Sequence, residues 1–470
     1  MYGEIMAETL ARRELNHLKA WYSAENRKPL IIRGARQVGK STLVRQFAEQ
    51  QKLQLLELNF ERNPEYRQAF RVNDPTQILT TLQLLINVEL SPQKTLLFLD
   101  EIQAAPEAIV ALRYFYEEKP DFAVLAAGSL LEFTLENANF SMPVGRIEYM
   151  YMGPMSFSDF LLAIGEQSLA EHIAKFRLPD VEKVNLPLVV HQKLMKLFRQ
   201  YCVVGGMPEA VAQFVNSRSY SDVLKVQSSV LATYRDDFNK YSHGALTRRV
   251  QLVFDKTPVL VGNKFKYVHV SRDHRAAELR DALSQLCMAR VISKIHHSSA
   301  NGIPLGAEQK DTIFKLIFMD VGLLCSVLNI NELNIENDGP YLVNKGAVAE
   351  QFIGQHLLYS SEYYQNPVLF YWMREEKSAA AEVDYLLSIG QQIVPVEIKA
   401  GATGTLRSLH QFCVEKQCNH ALRFNAEPPS FVRDVTASMV KGGEATYSLL
   451  SLPLYMVGEA KRLASELLSI

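Results

Sequence analysis

One stretch of the sequence, residues 30–49, constrains the fold more than any other. It reads LIIRGARQVGKSTLVRQFAE: an apolar run, a loop with Gly34 and Gly39, and an amphipathic continuation. This is the GxxxxGK[ST] pattern between a predicted strand and a predicted helix, which is the setting that a phosphate-binding loop requires. Glycines let successive backbone N–H groups turn toward an anion, and the positive end of the helix dipole points at the same place. The stretch therefore predicts a loop that binds a triphosphate.

The loop residues are the candidate contacts for ATP. Lys40 would reach the β- and γ-phosphates, and the Ser41 hydroxyl would ligate Mg²⁺. The alternative is an ordinary glycine-containing turn between a strand and a helix. The candidate ATP contacts in the loop are Gly34, Ala35, Arg36, Gln37, Val38, Gly39, Lys40, Ser41 and Thr42.

Three further apolar stretches, at residues 53–60, 96–99 and 122–127, predict strands in addition to the strand at 29–33. Continuous apolar runs without alternation are typical of strands that are covered on both faces, as in a parallel sheet between helices. Helical stretches separate these runs, so the pattern predicts a doubly wound α/β domain of the P-loop NTPase class. Ligands of such domains lie at the carboxyl ends of the strands.

Polar residues follow two of these predicted strands. Asp100 ends the run LLFLD and would hold Mg²⁺, whereas Glu101, one residue further, would orient or deprotonate the attacking water. Ser129 follows the run at 122–127 and would sense the γ-phosphate through a hydrogen bond. The alternatives are a solvated strand end with two acids and a Gly-Ser turn that closes a strand.

Composition limits the class of protein. The chain has 470 residues, which suggests about three domains, because single cores stop growing near roughly 250–300 residues. Its 50 Lys and Arg nearly balance its 51 Asp and Glu, so any basic surface is local. Five scattered cysteines fit a reducing compartment, and we expect neither a signal peptide nor a membrane span. A soluble cytoplasmic protein is therefore the expectation.

Several motifs together resemble the AAA-type ATPases of bacteria and archaea that carry a C-terminal domain of unknown function. These motifs are GARQVGKST, LLFLDEIQ, AAGSLLEF, GPMSFSDFL, GGMPEAV and FMDVGLL. The resemblance implies that residues 1–155 form an AAA-type core in which Ser129 is the first sensor residue. It also implies that Arg146 is an arginine finger, acting within the chain or on a neighbouring subunit. A surface salt bridge is the alternative for Arg146.

The middle of the chain predicts two further regions. Residues 156–244 carry apolar residues at intervals of three and four, which predicts helices. We expect these helices to form a lid over the nucleotide and a bridge to the domains that follow. Residues 245–325 follow the order of a winged helix, with a recognition helix at 276–288 and a wing framed by strands at 291–297 and 312–319. Between residues 262 and 298, seven Lys or Arg stand against three Asp or Glu. This region would contact either DNA or a protein partner.

A second group of polar residues lies in the last predicted domain, residues 326–470. Glu397 and Lys399 alternate on one predicted strand, Asp384 lies a hairpin away across Gly390, and Glu350 lies on a predicted helix. This order resembles the PD-(D/E)xK fold of restriction and repair nucleases, although the proline of that motif is absent before Asp384. The resemblance implies that Asp384 and Glu397 bind Mg²⁺, with Glu350 as a further ligand, and that Lys399 activates water. The alternative is a nuclease-like fold that is kept for binding.

The sequence thus predicts an Mg²⁺-dependent ATPase whose nucleotide state controls a C-terminal DNA-binding or nuclease-like domain. The second hypothesis is a nucleotide-switched regulator that binds DNA or protein and whose nuclease-like domain does not cut. Both hypotheses require ATP and Mg²⁺, and neither requires a membrane.

Overall fold

A computed structural model describes residues 10–136, 142–183, 185–331, 345–374, 381–400, 405–438 and 443–469. The chain divides into two compact units. The first unit contains Met1–Gly153 and two short later segments, Met288–Val291 and Ser361–Pro367. The second unit contains Pro154–Cys287, Ile292–Ser360 and Val368–Ile470.

Strands and helices alternate in the first unit, as the sequence predicted. Its elements are α1 (Glu14–Tyr22), β1 (Leu30–Arg33), α2 (Lys40–Gln50), β2 (Gln54–Asn59), α3 (Pro75–Ile86), β3 (Thr95–Asp100), α4 (Pro106–Glu118), β4 (Ala123–Ala127), α5 (Leu131–Glu136) and β5 (Glu148–Tyr151). Leu15, Leu18 and Trp21 form the buried stripe of α1. The N-terminal part of the predicted first helix, residues 1–9, lies outside the described residues.

The five strands of the first unit form a parallel sheet in the order β2-β3-β4-β1-β5. Every residue of β3 and β4 is buried. One face of the sheet packs against α3 and α4, and α2 contacts β2, β3 and β4. The predicted α/β domain with a parallel sheet is therefore confirmed, because uninterrupted apolar runs need cover on both faces.

The register of this sheet brings three strand ends to one level. Ile32 near the end of β1 and Asp100 at the end of β3 both pair with Ala127, the last residue of β4. The loops that follow these three strands therefore leave the sheet side by side, which is where ligands bind in parallel α/β sheets.

Helices make up the N-terminal part of the second unit, in agreement with the predicted helical region at 156–244. They are α6 (Phe157–Ala163), α7 (Gln167–Lys175), α8 (Leu178–Glu182), α9 (Leu188–Val204), α10 (Pro208–Ser217), α11 (Tyr220–Tyr241), α12 (Ala245–Leu260), α13 (Tyr267–Val270) and α14 (Ala276–Met288). The last of these helices has the bounds predicted for a recognition helix.

The remainder of the second unit is built on an eight-stranded mixed sheet in the order β12-β13-β11-β10-β9-β8-β6-β7. Its elements are β6 (Ile292–Ser298), β7 (Gln309–Phe318), α15 (Val321–Val327), α16 (Lys345–Leu358), β8 (Phe370–Met373), β9 (Glu382–Ile389), β10 (Gln392–Ile398), α17 (Arg407–Lys416), β11 (His420–Asn425), β12 (Ser430–Ser438), β13 (Glu444–Pro453) and α18 (Ala460–Leu467).

The strands predicted to frame a wing, β6 and β7, pair with each other antiparallel, and β6 also pairs with β8 in parallel. They therefore belong to the same sheet as β9 and β10, which carry the predicted nuclease-like residues. The division of the chain into four domains stays a prediction, as does a winged-helix function for this region. Within the described ranges, no helix has the length and apolar character needed to cross a bilayer.

Candidate functional site

The loop between β1 and α2 has the backbone shape of a phosphate-binding loop. Gly39, directly before α2, has φ of 93°, and Gln37 has φ of 63°. A Cβ atom added to Gly34 would lie 2.2 Å from the carbonyl oxygen of Met152, so this position has no room for a side chain. The left-handed turn at Gly39 lets the amides at the start of α2 face the loop interior.

Lys40 is buried inside this loop. Its ammonium group donates hydrogen bonds to the carbonyl oxygens of Gly34, at 3.0 Å, and Ala35, at 2.8 Å. Burial lowers the pKa of Lys40 to about 8, although the carboxylates of Glu101 and Asp100 act in the opposite direction. The site therefore holds a cation that is poorly solvated, and an anion brought to the loop would stabilise it.

Asp100 lies directly beside the first residues of α2. The Ser41 hydroxyl donates to Asp100, with 3.1 Å to each carboxylate oxygen, and Asn59 Nδ2 donates to Oδ2 at 3.2 Å. Burial raises the pKa of Asp100, and the charge of Glu101 raises it further. The structure thus brings together Ser41 and Asp100, the two residues predicted to hold Mg²⁺, and their metal roles stay predictions.

Glu101 is held in place by its neighbours. It has φ of 49°, and its Oε2 accepts hydrogen bonds from Gln103 Nε2 at 2.7 Å and from Ser129 N and Oγ at 3.2 Å each. Burial acts to raise its pKa, but the bonds from Gln103 and Ser129 and the charge of Lys40 outweigh burial and lower it. Glu101 is therefore ionised at neutral pH. Ser129 therefore contacts the site by donating hydrogen bonds to Glu101.

The donor set at this site fits Mg²⁺. The Ser41 hydroxyl and the Asp100 carboxylate are hard oxygen ligands, and Mg²⁺ typically takes one or two protein oxygens together with water and phosphate oxygens. A divalent cation here would also compensate the two adjacent carboxylates, because burial and then the charge of Glu101 raise the pKa of Asp100.

Arg146, the predicted arginine finger, forms an ion pair on the surface. Its Nε lies 2.9 Å from Glu117 Oε1, and Glu117 also contacts Arg113 at 3.1 Å. This is the salt bridge that the sequence left as the alternative. A finger role for Arg146, within the chain or on a neighbouring subunit, stays a prediction.

A second arginine, which the sequence analysis missed, lies in the first unit. Arg290 belongs to the segment Met288–Val291, and its Nε donates to Glu132 Oε1 at 3.0 Å. Arg33, the last residue before the phosphate loop, also binds Glu132, with its Nε 2.8 Å from Oε1. One carboxylate therefore joins Arg290 to the residue that leads into the loop.

Arg290 also acts on the electrostatics of the phosphate loop. Burial is the main cause of the lowered pKa of Lys40, and the positive charge of Arg290 adds to that effect. The guanidinium of Arg290 also lies over the ring of Tyr151, 4.9 Å from its centroid. Spacing in the sequence gives no signal for Arg290, because it is remote from the loop along the chain and joins the first unit only where the chain returns to it.

The predicted nuclease-like residues of the second unit do come together. The hairpin of β9 and β10 pairs Tyr385 with Val396, so Asp384 and Glu397 lie one step further along. Asp384 Oδ2 accepts a 2.7 Å hydrogen bond from the Ile398 amide, and Lys399 Nζ lies 2.5 Å from Glu397 Oε1.

Lys315 on β7, which the sequence analysis did not single out, lies among these carboxylates. Its Nζ is 2.7 Å from Glu350 Oε1 and 3.8 Å from Asp384 Oδ1, and it also forms an ion pair with Glu382. Burial alone would lower the pKa of Lys315, but the carboxylates of Glu350, Asp384 and Glu382 raise it well above its ordinary value. Burial and the charge of Glu350 raise the pKa of Asp384.

In the part of the chain that the structure describes, no group of three or more His, Cys, Asp or Glu side chains is arranged to hold a metal ion. Glu350, the predicted helical ligand, instead has Lys315 as its partner. The metal roles of Glu350, Asp384 and Glu397 and the water-activating role of Lys399 stay predictions.

The parallel sheet, the loop around Lys40 and the strand-end acids of β3 have the arrangement of a P-loop domain. Residues 26–161 match the family described as "AAA domain". Residues 195–334 match a domain of unknown function, DUF8612, and residues 345–440 match another, DUF4143. The AAA domain and the C-terminal domain of unknown function that the resemblance implied are therefore confirmed.

Three solved structures are similar to this chain over most of their own length. A Walker-type ATPase of Pyrococcus abyssi is 15% identical, with 68% of this chain and 96% of that chain covered and a TM-score of 0.41. The Aeropyrum pernix ORC1 protein in complex with DNA is 12% identical, with coverages of 69% and 94% and a TM-score of 0.28. The Aeropyrum pernix ORC2 protein is 12% identical, with coverages of 70% and 94% and a TM-score of 0.31. The comparison with curated proteins gave no match.

Proposed function

We propose that the first unit binds ATP with Mg²⁺ and hydrolyses it. The observation that carries this proposal is the contact of the Ser41 hydroxyl with both oxygens of Asp100. It joins the phosphate loop after β1 to the end of β3, and it sets an Mg²⁺ ligand pair beside the Lys40 ammonium. The match of residues 26–161 to an AAA domain supports the same activity.

Each residue of the site has a defined task in this reaction. The loop amides and Lys40 hold the β- and γ-phosphates, and Lys40 exchanges its bonds to the Gly34 and Ala35 carbonyls for bonds to phosphate oxygens. Ser41 and Asp100 would hold Mg²⁺, which neutralises charge on the phosphate oxygens. Glu101 orients the attacking water and accepts its proton, while Ser129 and Gln103 hold Glu101 in position.

Asp100→Asn tests the Mg²⁺ part of this site. We expect the variant to lose most of the gain in ATP affinity that Mg²⁺ provides to the wild type, because an amide oxygen is a weaker ligand than a carboxylate. Calorimetric titration with ATP, in Mg²⁺ and in EDTA, measures this difference. Glu57→Gln, which alters a carboxylate on the neighbouring strand β2, is the matched control and should retain the Mg²⁺ effect. An Asp100→Asn variant with the full Mg²⁺ effect would refute the assignment.

We further propose that the nucleotide state of the first unit controls the second. The support is the path of the chain, which returns to the first unit at Met288–Val291 and at Ser361–Pro367. The first of these segments continues into β6, and the second runs to β8. Because β6 and β8 pair in parallel, the two segments lead into neighbouring strands of one sheet.

Arg290 is the residue that connects this path to the nucleotide. Its Nη2 donates to Asn366 Oδ1 at 3.2 Å, so the two returning segments contact each other within the first unit. Its ion pair with Glu132 is shared with Arg33, which precedes the phosphate loop. A change in the loop on binding ATP would therefore alter the partners of Arg290.

Arg290→Ala is expected to weaken this coupling by about 1 kcal/mol or more while leaving ATP bound. Hydrogen exchange with and without a non-hydrolysable ATP analogue provides the measurement. In the wild type, the analogue should change the protection of β6 and β8, and in the variant this change should be reduced or absent. Arg272→Ala, an exposed arginine of the same basic stretch, is the control. An unaltered response in Arg290→Ala would show that the coupling does not use this residue.

The second unit would use this control to hold DNA or a protein partner. The basic surplus of residues 262–298 supports DNA contact, and Lys266, Arg272, Arg275 and Arg280 are exposed. A metal-dependent nuclease is the second candidate function of this unit. It is favoured by the hairpin that places Asp384, Glu397 and Lys399 together.

A further inference from the structure

The acidic cluster of the second unit contains four carboxylates from three elements. Glu350 comes from α16, Glu382 and Asp384 from β9, and Glu397 from β10. Glu350 is 9% exposed and Glu397 is 5% exposed. The Oε2 atom of Glu397 is buried and has no hydrogen-bond partner among the described residues. Glu382 and Asp384 are partly exposed. Carboxylates grouped in this way, two of them buried, require a cation, because unpaired charge is strongly disfavoured away from water.

Lys315 supplies such a cation from within the chain. Its side chain is 1% exposed, and its Nζ atom lies over the ring of Tyr371 on β8, 5.2 Å from the ring centroid. Its ammonium group contacts Glu350, Glu382 and Asp384, which are three of the four acids. The ammonium group thus contacts three carboxylates and an aromatic ring in the interior of the unit, so it is part of the cluster.

We propose that Lys315 is the resident cation of this cluster and that its ammonium group excludes a divalent metal ion from a latent oxygen-ligand site. The oxygens that Lys315 contacts are of the kind that Mg²⁺, Mn²⁺ and Ca²⁺ bind. A divalent ion among them would lie within a few ångströms of a buried positive charge, and the two repel each other strongly in such surroundings. With Lys315 in place the cluster holds no divalent metal ion, so a metal-dependent nuclease, the second candidate function of this unit, is the alternative that the test below distinguishes from this proposal. This inference does not depend on ATP hydrolysis by the first unit.

The test uses the full chain carrying Asp100→Asn, so that Mn²⁺ binding in the first unit is weakened. Mn²⁺ is the probe, and bound Mn²⁺ is counted by electron paramagnetic resonance. In this background we expect no Mn²⁺ bound by the cluster. Adding Lys315→Met is expected to lower Tm by roughly 5 °C or more in EDTA, because Glu350, Glu382 and Asp384 lose their cation. Mn²⁺ should then bind and restore much of the lost Tm.

Three controls define the origin of this Mn²⁺ binding. Adding Asp384→Asn to the Lys315→Met variant should abolish both the bound Mn²⁺ and the recovery of Tm. Lys294→Met, which removes a lysine from the neighbouring strand β6, should gain no Mn²⁺. Lys315→Arg keeps the positive charge and should likewise bind none.

Two outcomes would overturn the proposal. One is a folded Lys315→Met protein that gains no Mn²⁺. The other is an Asp100→Asn protein, with Lys315 intact, that binds one Mn²⁺ more than the Asp100→Asn, Asp384→Asn double variant. The second comparison needs no change at Lys315, so it decides the question even if Lys315→Met does not fold. Equal Mn²⁺ counts in that comparison support the proposal.

Discussion

Glu101→Gln is expected to lower kcat for ATP hydrolysis by about 10²–10⁴-fold, the usual contribution of a positioned general base. Glutamine is nearly the same shape as glutamate but cannot take a proton from water. Its amide oxygen can still accept the bonds that Ser129 and Gln103 make to Glu101 Oε2. The variant should therefore fold normally and bind ATP as the wild type does, and phosphate release would report the lost turnover.

The matched control for this prediction is Glu107→Gln. Glu107 lies in the first turn of α4 and pairs with Arg67 at 3.0 Å. Its replacement should leave hydrolysis unchanged. If Glu101→Gln hydrolyses ATP at the wild-type rate, the base must be another group and the proposed roles of Glu101 and Ser129 are wrong.

Lys40→Met is expected to weaken ATP binding by about 2–4 kcal/mol, or roughly thirtyfold to several-hundredfold, because charge-assisted bonds to phosphate are lost. Methionine keeps an unbranched apolar side chain in the buried position, so the change removes mainly the charge. Calorimetric titration with ATP in the presence of Mg²⁺ measures the effect. Lys19→Met, at an exposed position on α1, is the control and should bind normally.

Thermal unfolding shows whether Lys40→Met loses only its contacts with phosphate or is also less stable as a folded protein. The pKa of Lys40 is lowered from 10.5 to about 8 in the folded protein. A depressed lysine pKa means that folding disfavours the charged form, so this group reduces stability by about 3 kcal/mol below pH 8. At pH 7, Lys40→Met should therefore have a Tm no lower than the wild type. A clearly lower Tm would mean that the bonds of Lys40 to the loop carbonyls stabilise the free protein.

Local patterns predicted the position of the phosphate loop and of β3, for identifiable reasons. The phosphate loop is contiguous in sequence, and its shape follows from Gly34, Gly39 and the start of α2. The apolar run that ends at Asp100 predicted a buried parallel strand, which β3 is. The closeness of Ser41 and Asp100 followed from a general rule, since parallel strands end at the same edge of a sheet.

Long-range strand pairing had no comparable signal. The strands predicted to frame a wing, β6 and β7, do pair with each other, but they also belong to the eight-stranded sheet through the pairing of His296 with Phe370. Lys315 on β7 was missed for a similar reason, because its partners are distant in sequence. Nothing near it in sequence is acidic except Asp311 and Asp320, and its partners come from α16 and β9.

Neighbouring residues were enough to predict the class of the first unit, its phosphate loop and the acids at the end of β3. The ion pairs between distant residues, Arg290 with Glu132 and Lys315 with Glu350, became visible in the folded chain alone. The physical reason is that a loop or a strand is encoded by neighbouring residues, whereas an ion pair depends on where distant segments are brought together by the packing of whole sheets.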